Sequence, residues 1–290
     1  MEASSRESLA EARERLAERT RGATGLVERT RERLTGQQRG ASADELLRLA
    51  DELFAVSRVL DEQPALRRAL SDPAGKPADR AGLARRLFGS KVSDAALDMV
   101  ETVARLRWSR PFDLVEATSA LAVEASLDAA EARGELEGVE DELFRFGRIV
   151  AGDRDLGRIL GDRTAPAAGK SALIDRLLSG RVSAVTEQLV RNVLTARYAA
   201  SPEVEIERLT DAASRRRGQS IARVTSAVEL TPTQEQRLAA VLGRLYGRPV
   251  GLQVIVDPSV LGGLVVQVGD EVIDGSIANR LEAAERRLAG

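Results

Sequence analysis

Val254-Ile-Val-Asp-Pro-Ser-Val-Leu-Gly-Gly-Leu-Val-Val-Gln-Val-Gly-Asp-Glu-Val-Ile-Asp-Gly-Ser276 is the one stretch of this arginine- and alanine-rich chain that does not read as helix. Two β-branched runs, Val254 to Val256 and Leu264 to Val268, flank Asp257-Pro258 and Gly262-Gly263. The second run ends at Gly269-Asp270, before a third at Val272-Ile273. The order is strand, turn, strand, turn, strand. Pro258 fixes φ and removes a ladder donor, while Gly262, Gly263 and Gly269 admit the positive φ that tight turns require. Asp274-Gly275-Ser276 then opens a helix through Ile277, Leu281 and Ala284 to Leu288, with Asp274 or Ser276 as its cap. The glycines offer no nucleotide site, because no Gly-x-Gly-x-x-Gly spacing joins a strand to a helix here. They read as turns of a small sheet.

Outside this stretch the composition is helical. At 290 residues the chain has room for two or three domains; it is 43% hydrophobic and 30% charged but only 3% aromatic. A net charge of −2 gives no basic field for nucleic acid. Cysteine and histidine are both absent. That excludes disulfides, thiolate metal sites and the commonest general base, so catalysis, a metal and a cofactor are not expected. The charged start, Met1-Glu-Ala-Ser-Ser-Arg-Glu-Ser8, has no apolar signal core, and no window approaches the roughly 18 apolar residues of a membrane span. A cytoplasmic location is expected.

In chain order, residues 5–34 read as a solvated helix interrupted near Gly22 and Gly25, and Gln37 to Ser42 as a loop with Ser42 or Asp44 capping the next helix. A helical hairpin pattern follows, and it occurs twice. Laying residues 51–108 over 141–198, a shift of 90, gives about 18 identities in 58 positions. Asp51-Glu-Leu-Phe54 meets Asp141-Glu-Leu-Phe144; Arg58 meets Arg148; Leu66, Leu70 and Asp72 meet Leu156, Leu160 and Asp162. Val92-Ser93 meets Val182-Ser183, and Trp108 meets Tyr198. In the second copy, helices are expected over 119–133, 140–150 and 184–198, each with apolar residues on one face. The fold class is therefore mainly α with a small α/β C-terminal domain: tandem bundles of about six short helices per repeat, then a small sheet with helices. The domains are expected at 1–111, 112–217 and 218–290.

Two motifs resemble sites. Ala165-Pro-Ala-Ala-Gly-Lys-Ser171 ends like a P-loop, but Thr164 stands where the motif needs glycine and a helical pattern precedes it. Its counterpart in the first copy is Asp79-Arg80-Ala81. Arg215-Arg-Arg217 reads as the basic end of a helix, favourable to its dipole, rather than a phosphate site.

The C-terminal residues also carry a resemblance. Val256-Asp-Pro-Ser-Val-Leu-Gly-Gly-Leu264, then Val268-Gly-Asp-Glu-Val-Ile-Asp-Gly-Ser-Ile277, then Arg280-Leu281, preceded by Val224-Thr-Ser-Ala-Val-Glu-Leu-Thr231, resemble the signature of the delta subunit of bacterial F-type ATP synthase, which is similar to the mitochondrial oligomycin-sensitivity-conferring protein. In that signature Asp257, Pro258, Gly262, Gly263, Gly269, Asp270, Asp274, Gly275 and Ser276 are structural positions. Residues 112–290 correspond to the usual delta subunit. Residues 1–111 are an extra copy of the helical domain, similar to the extension of actinobacterial delta subunits. The resemblance implies a non-catalytic stator subunit on the cytoplasmic face of the bacterial cell membrane, peripheral and held there only through the complex. The implied partners are the N-terminal helices of the head's alpha subunits and separate b-type stalk subunits. The family's groove for the alpha helix lies between the first and fifth helices of the bundle, which makes Ala122, Ala125, Leu189, Asn192 and Ala196 the expected contacts; the bland alternative for each is bundle core. The competing readings are a free-standing helical-repeat adaptor and a P-loop-like nucleotide-binding enzyme.

Overall fold

Short polar side chains and prolines set where the helices begin. Ser42 accepts from the backbone N–H of Glu45 while the Glu45 carboxylate accepts from the N–H of Ser42, a reciprocal capping box. Ser93 and Ser183 cap two further helices through their hydroxyls. Proline opens five more, where its missing N–H costs nothing. The computed structural model describes residues 1–20, 42–197, 201–219, 221–246, 250–257, 262–268 and 271–275. The expected breaks at Gly22 and Gly25, the loop 37–41, Tyr198, Pro258, Gly269, Asp270, Ser276 and the helix 277–288 lie outside the described residues.

The chain divides into two compact units, one helical, through Ala213, and one built on a sheet, from Ser214. The helical unit contains α1 (Ala3–Thr20), α2 (Ala43–Glu62), α3 (Pro64–Ser71), α4 (Pro77–Phe88), α5 (Asp94–Arg105), α6 (Pro111–Arg133), α7 (Leu136–Gly152), α8 (Arg154–Gly161), α9 (Ala167–Leu178), α10 (Ala184–Thr195) and α11 (Pro202–Gln219), the last of which runs past Ala213. The duplication is exact in the backbone: α3, α4 and α5 recur as α8, α9 and α10 with both ends displaced by 90 residues. α2 corresponds to α7.

Equivalent side chains make equivalent contacts. The Glu52 carboxylate accepts from the N–H and hydroxyl of Ser93, and Glu142 accepts from the same groups of Ser183. The ion pair between Arg85 and Glu101 recurs at the same positions with its charges exchanged, as Asp175 and Arg191. Chance likeness of two helical bundles would not carry a reversed pair to the same place.

The two repeats share α6. As the last helix of the first repeat it lies along α2, with the Ser57 hydroxyl donating to the carbonyl of Val115. Counted from the opening prolines Pro111 and Pro202, which stand 91 apart, the corresponding pair in the second repeat is Gly147 and Ile206, close enough that a Cβ on Gly147 would sit 3.2 Å from the Ile206 side chain. As the first helix of the second repeat α6 also packs on α10, where the Ser126 hydroxyl donates to the Gln188 side chain. Ala117, Leu121, Ala122, Ala125 and Ala130 are all buried. Asp113, Ser126 and Asp128 are buried with them, and a helix buried on every side belongs inside a bundle. One apolar core accordingly runs from Leu9 to Ala213 through both copies, and the expected boundary at 111/112 falls in the first turn of the shared helix. Two helices are longer than their periodicity indicated, α6 beginning at Pro111 rather than 119 and α7 spanning Leu136–Gly152 rather than 140–150, while α10 ends at Thr195, short of the expected 198.

In the second unit, β1 (Ile221–Ser226), α12 (Pro232–Tyr246), β2 (Gly251–Val256), β3 (Leu264–Val268) and β4 (Glu271–Asp274) form a sheet of order β2-β1-β3-β4. β1 and β2 are parallel, joined across α12, while β3 runs antiparallel to β1 and to β4. Ala222, Val224, Val266 and Val268 bury one face against Leu242 of α12. The strands fall on the β-branched runs, and Gly262 and Gly263 both take positive φ, 108° and 84°.

Candidate partner-binding site

The five expected contact residues lie where α6 meets α10, and the chain itself covers that junction. Ala122, Ala125 and Leu189 are fully buried, Asn192 is nearly so, and Ala196 is half-buried at the C-terminal end of α10. α2 lies over them. The Gln188 amide donates to the carbonyl of Leu47 at 3.0 Å, and Arg58 donates to the Asn192 side-chain oxygen at 2.5 Å. The Asn192 amide donates to the carbonyl of Gln188 within its own helix. Both polar ends of Asn192 are thus engaged within the chain. Sequence reasoning missed this cover; the side chains of α10 that meet α2 are the polar Gln188 and Asn192.

A cavity of about 320 Å³ opens beside this contact, lined by Phe54 and Arg58 of α2, Leu160 of α8, Asn192 of α10, and Lys170. Lys170 belongs to the Gly-Lys-Ser sequence. It lies in the first turns of α9, preceded by α8 rather than by a strand; its backbone N–H donates to the carbonyl of Pro166, and its ammonium makes no hydrogen bond among the described residues. Burial holds its ammonium below the usual lysine range; Asp162 opposes that shift and Arg163 adds to it.

The first-repeat counterpart shows what the position is for. The Arg80 guanidinium, 4% exposed, donates five hydrogen bonds, from Nε to the carbonyl of Ala104 and from its two Nη groups to those of Asp72, Gly75, Arg105 and Leu106. It satisfies the free carbonyls at the end of α5, a cation at the negative pole of a helix. Lys170 holds the equivalent place beneath the end of α10, with a single ammonium in place of a five-donor fork. Arg80 clasps a helix end, and Lys170, preceded by a helix rather than a strand, does not stand in a phosphate-binding loop.

Across the α1–α5 junction, the pair equivalent to α6 and α10, the surface is charged. Arg15 and Arg19 both reach Asp98, the counterpart of Gln188. Burial alone would push the Asp98 carboxyl up, but hydrogen bonds from Arg19 and Arg15 and their charges hold it below the usual carboxylate range.

The signature residues of the sheet unit have backbone roles. The N–H of Asp257 donates to the carbonyl of Ser226 at 2.8 Å, and that of Gly275 to the carbonyl of Leu264 at 2.9 Å. A Cβ on Gly275 would meet that carbonyl oxygen at 3.1 Å. Asp274 pairs with Val265 at the end of β4. Arg216 and Arg217 lie in the last turn of α11. Among the described residues no group of acidic side chains is placed to hold a metal ion, and no helix is long and apolar enough to cross a membrane.

The second repeat and the sheet unit match as one piece: the family described as ATP synthase delta (OSCP) subunit covers residues 123–288. The chain belongs to the ATP synthase delta (OSCP) family. It is 51% identical to ATP synthase subunit delta of Streptomyces avermitilis over 259 residues, 89% of this chain and 94% of that one. It is 48% identical to the subunit delta of Streptomyces coelicolor over 289 residues, covering 100% of this chain and 98% of the relative. A delta-family chain with the first repeat in place is therefore a shared pattern among these actinobacterial relatives.

Proposed function

We propose that this chain is the non-catalytic delta subunit of an F1Fo ATP synthase stator, joining the head of alpha and beta subunits to b-type stalk subunits and resisting rotor torque during proton-driven synthesis. The observation that carries the reading is end-to-end likeness to subunits named ATP synthase subunit delta, both repeats and sheet included. The physical demands agree with it. A brace needs a stiff body and binding spread over helical surfaces, with no proton-transfer group. A core continuous through two fused repeats supplies stiffness. The subunit works at the cytoplasmic face of the bacterial membrane as a peripheral component.

In this reading an N-terminal helix of an alpha subunit approaches the α6–α10 junction from its Ala196 end, and Ala122, Ala125, Leu189 and Asn192 form the floor beneath α2. Calorimetry of the full chain with a peptide of the cognate alpha subunit's N-terminus tests that contact. The expected result is saturable binding, weakened by Ala196→Asp. Binding unaffected by that substitution would refute the position, and no binding would refute the partner.

A further inference from the structure

Lys170 is the odd member of its pair. In the first copy Arg80 fills the space beneath α5 with five hydrogen bonds to backbone carbonyls, and a single ammonium cannot span that set. Beside Lys170 the space stays open, as the cavity of about 320 Å³. Lys170 is only 7% exposed, yet its ammonium makes neither a hydrogen bond nor an ion pair among the described residues. Asp162, whose charge reaches it, is engaged elsewhere: its carboxylate accepts from the N–H and the hydroxyl of Thr164. A cation taken out of water without an acceptor is costly until a counter-ion arrives.

The rest of the lining favours an anion. Arg58, Arg163, Lys170 and Arg197 stand against Asp61 and Glu62, four positive charges to two negative, and Asp61 already faces Arg67 at 3.8 Å. Arg58 gives one N–H to Asn192, and Arg163 meets the negative end of α10 by donating to the carbonyl of Arg197 at 3.4 Å. α9 opens at Ala167, in the cavity wall, with no side chain capping its positive end. Asn192 and Ala196 belong both to this lining and to the end from which a partner helix approaches the α6–α10 junction. A side chain brought in on a helix held next door fills the cavity without the high free concentration that a lone ion needs.

We infer that the cavity receives an acidic side chain of the alpha-subunit helix, whose carboxylate becomes the counter-ion of the Lys170 ammonium, with the exposed Arg58 beside it. Arginine at 170 would close the space by clasping α10 as Arg80 clasps α5; lysine leaves it open for the partner.

The inference rests on the reading of the alpha subunit as partner, and the test separates the two. Full-length wild type, Lys170→Met and the control Arg181→Met are titrated by calorimetry with a peptide of the cognate alpha subunit's N-terminus, and with versions in which each acidic residue in turn is replaced by its carboxamide. Arg181 is exposed, beyond the far end of α9. Each chain's melting temperature is recorded alone. Lys170→Met is expected to melt at or above wild type, because a buried charge without an acceptor is gone, and yet to bind at least about tenfold more weakly. Arg181→Met should bind like wild type. One carboxamide replacement should weaken wild type by the same factor and leave Lys170→Met unaffected. A lysine that serves only the fold would lower the melting temperature and show no such coupling. Undiminished binding by Lys170→Met, an equal loss in Arg181→Met, or a wild type indifferent to every carboxamide replacement would each overturn the inference and leave the partner standing. Inorganic phosphate that binds wild type and not Lys170→Met would overturn it by giving the cavity to a free ion. No binding of the peptide by wild type would overturn both readings.

Discussion

At the scale of single residues, the two copies act as controls for each other. Arg80 and Lys170 hold the same position with different reach, and Arg80 alone meets its full set of carbonyls. Arg80→Ala orphans those buried carbonyls and is expected to cost about 3 to 5 kcal/mol in urea unfolding. Lys170→Arg is expected to stabilise by about 1 kcal/mol by rebuilding the clasp under α10. Asp61 gives a pH signature. Burial raises its carboxyl above the ordinary value, outweighing the charges of Arg67 and Arg197. A carboxyl whose folded pKa is raised weakens the fold while ionised, and that cost disappears as pH falls through the raised value. Asp61→Asn should therefore raise the melting temperature at pH 7, and the gain should fade as pH approaches 3.8, the ordinary value. Asp98 has the opposite sign: its contribution is present at neutral pH and lost only in acid, as pH falls through its depressed folded pKa. The sequence aligned Lys170 with Arg80, but the acceptors are backbone carbonyls, which leave no mark in residue identity.

At the scale of elements, glutamates on α2 and α7 tie each bundle together. Glu142 accepts from the N–H and hydroxyl of Ser183 and the hydroxyl of Thr186. Glu142→Ala should cost about 2 to 3 kcal/mol, read by chemical denaturation, because three donors lose a charged acceptor. The exchanged ion pair gives a sharper check. Glu101→Arg sets like charges beside Arg85 and Arg105 and should lower the melting temperature, and adding Arg85→Asp should recover most of the loss by importing the second repeat's pair. A double variant no better than the single one would contradict the equivalence. The correspondence of elements between the repeats was legible because the shift of 90 residues carries no gap from α3 to α5, although the ends of the helices were not. The full length of α6 was not. Its buried residues surround the axis, so no polar face set a period by which its first two turns could be followed from Pro111.

At the scale of the whole molecule, the shared helix makes the repeats one body, and that was not legible in a gapless alignment of two copies. A fragment of residues 112–290 would lose α2, with Leu46, Leu53, Phe54 and Leu60 buried in it, each side chain contributing about 1.5 to 3 kcal/mol. Such a fragment should melt well below the full chain and self-associate in sedimentation. Independent stability equal to that of the full chain would contradict the fused core. The sheet unit was read nearly strand by strand, since β-branched runs and glycines mark its edges directly. The central claim concerns the assembly. Membranes carrying the cognate synthase, stripped of this subunit, should lose proton-driven ATP synthesis while the detached head still hydrolyses ATP. Adding back the full chain should restore head attachment and synthesis together. Head attachment and synthesis at unchanged levels in its absence, or no recovery of either when it is returned, would contradict the account.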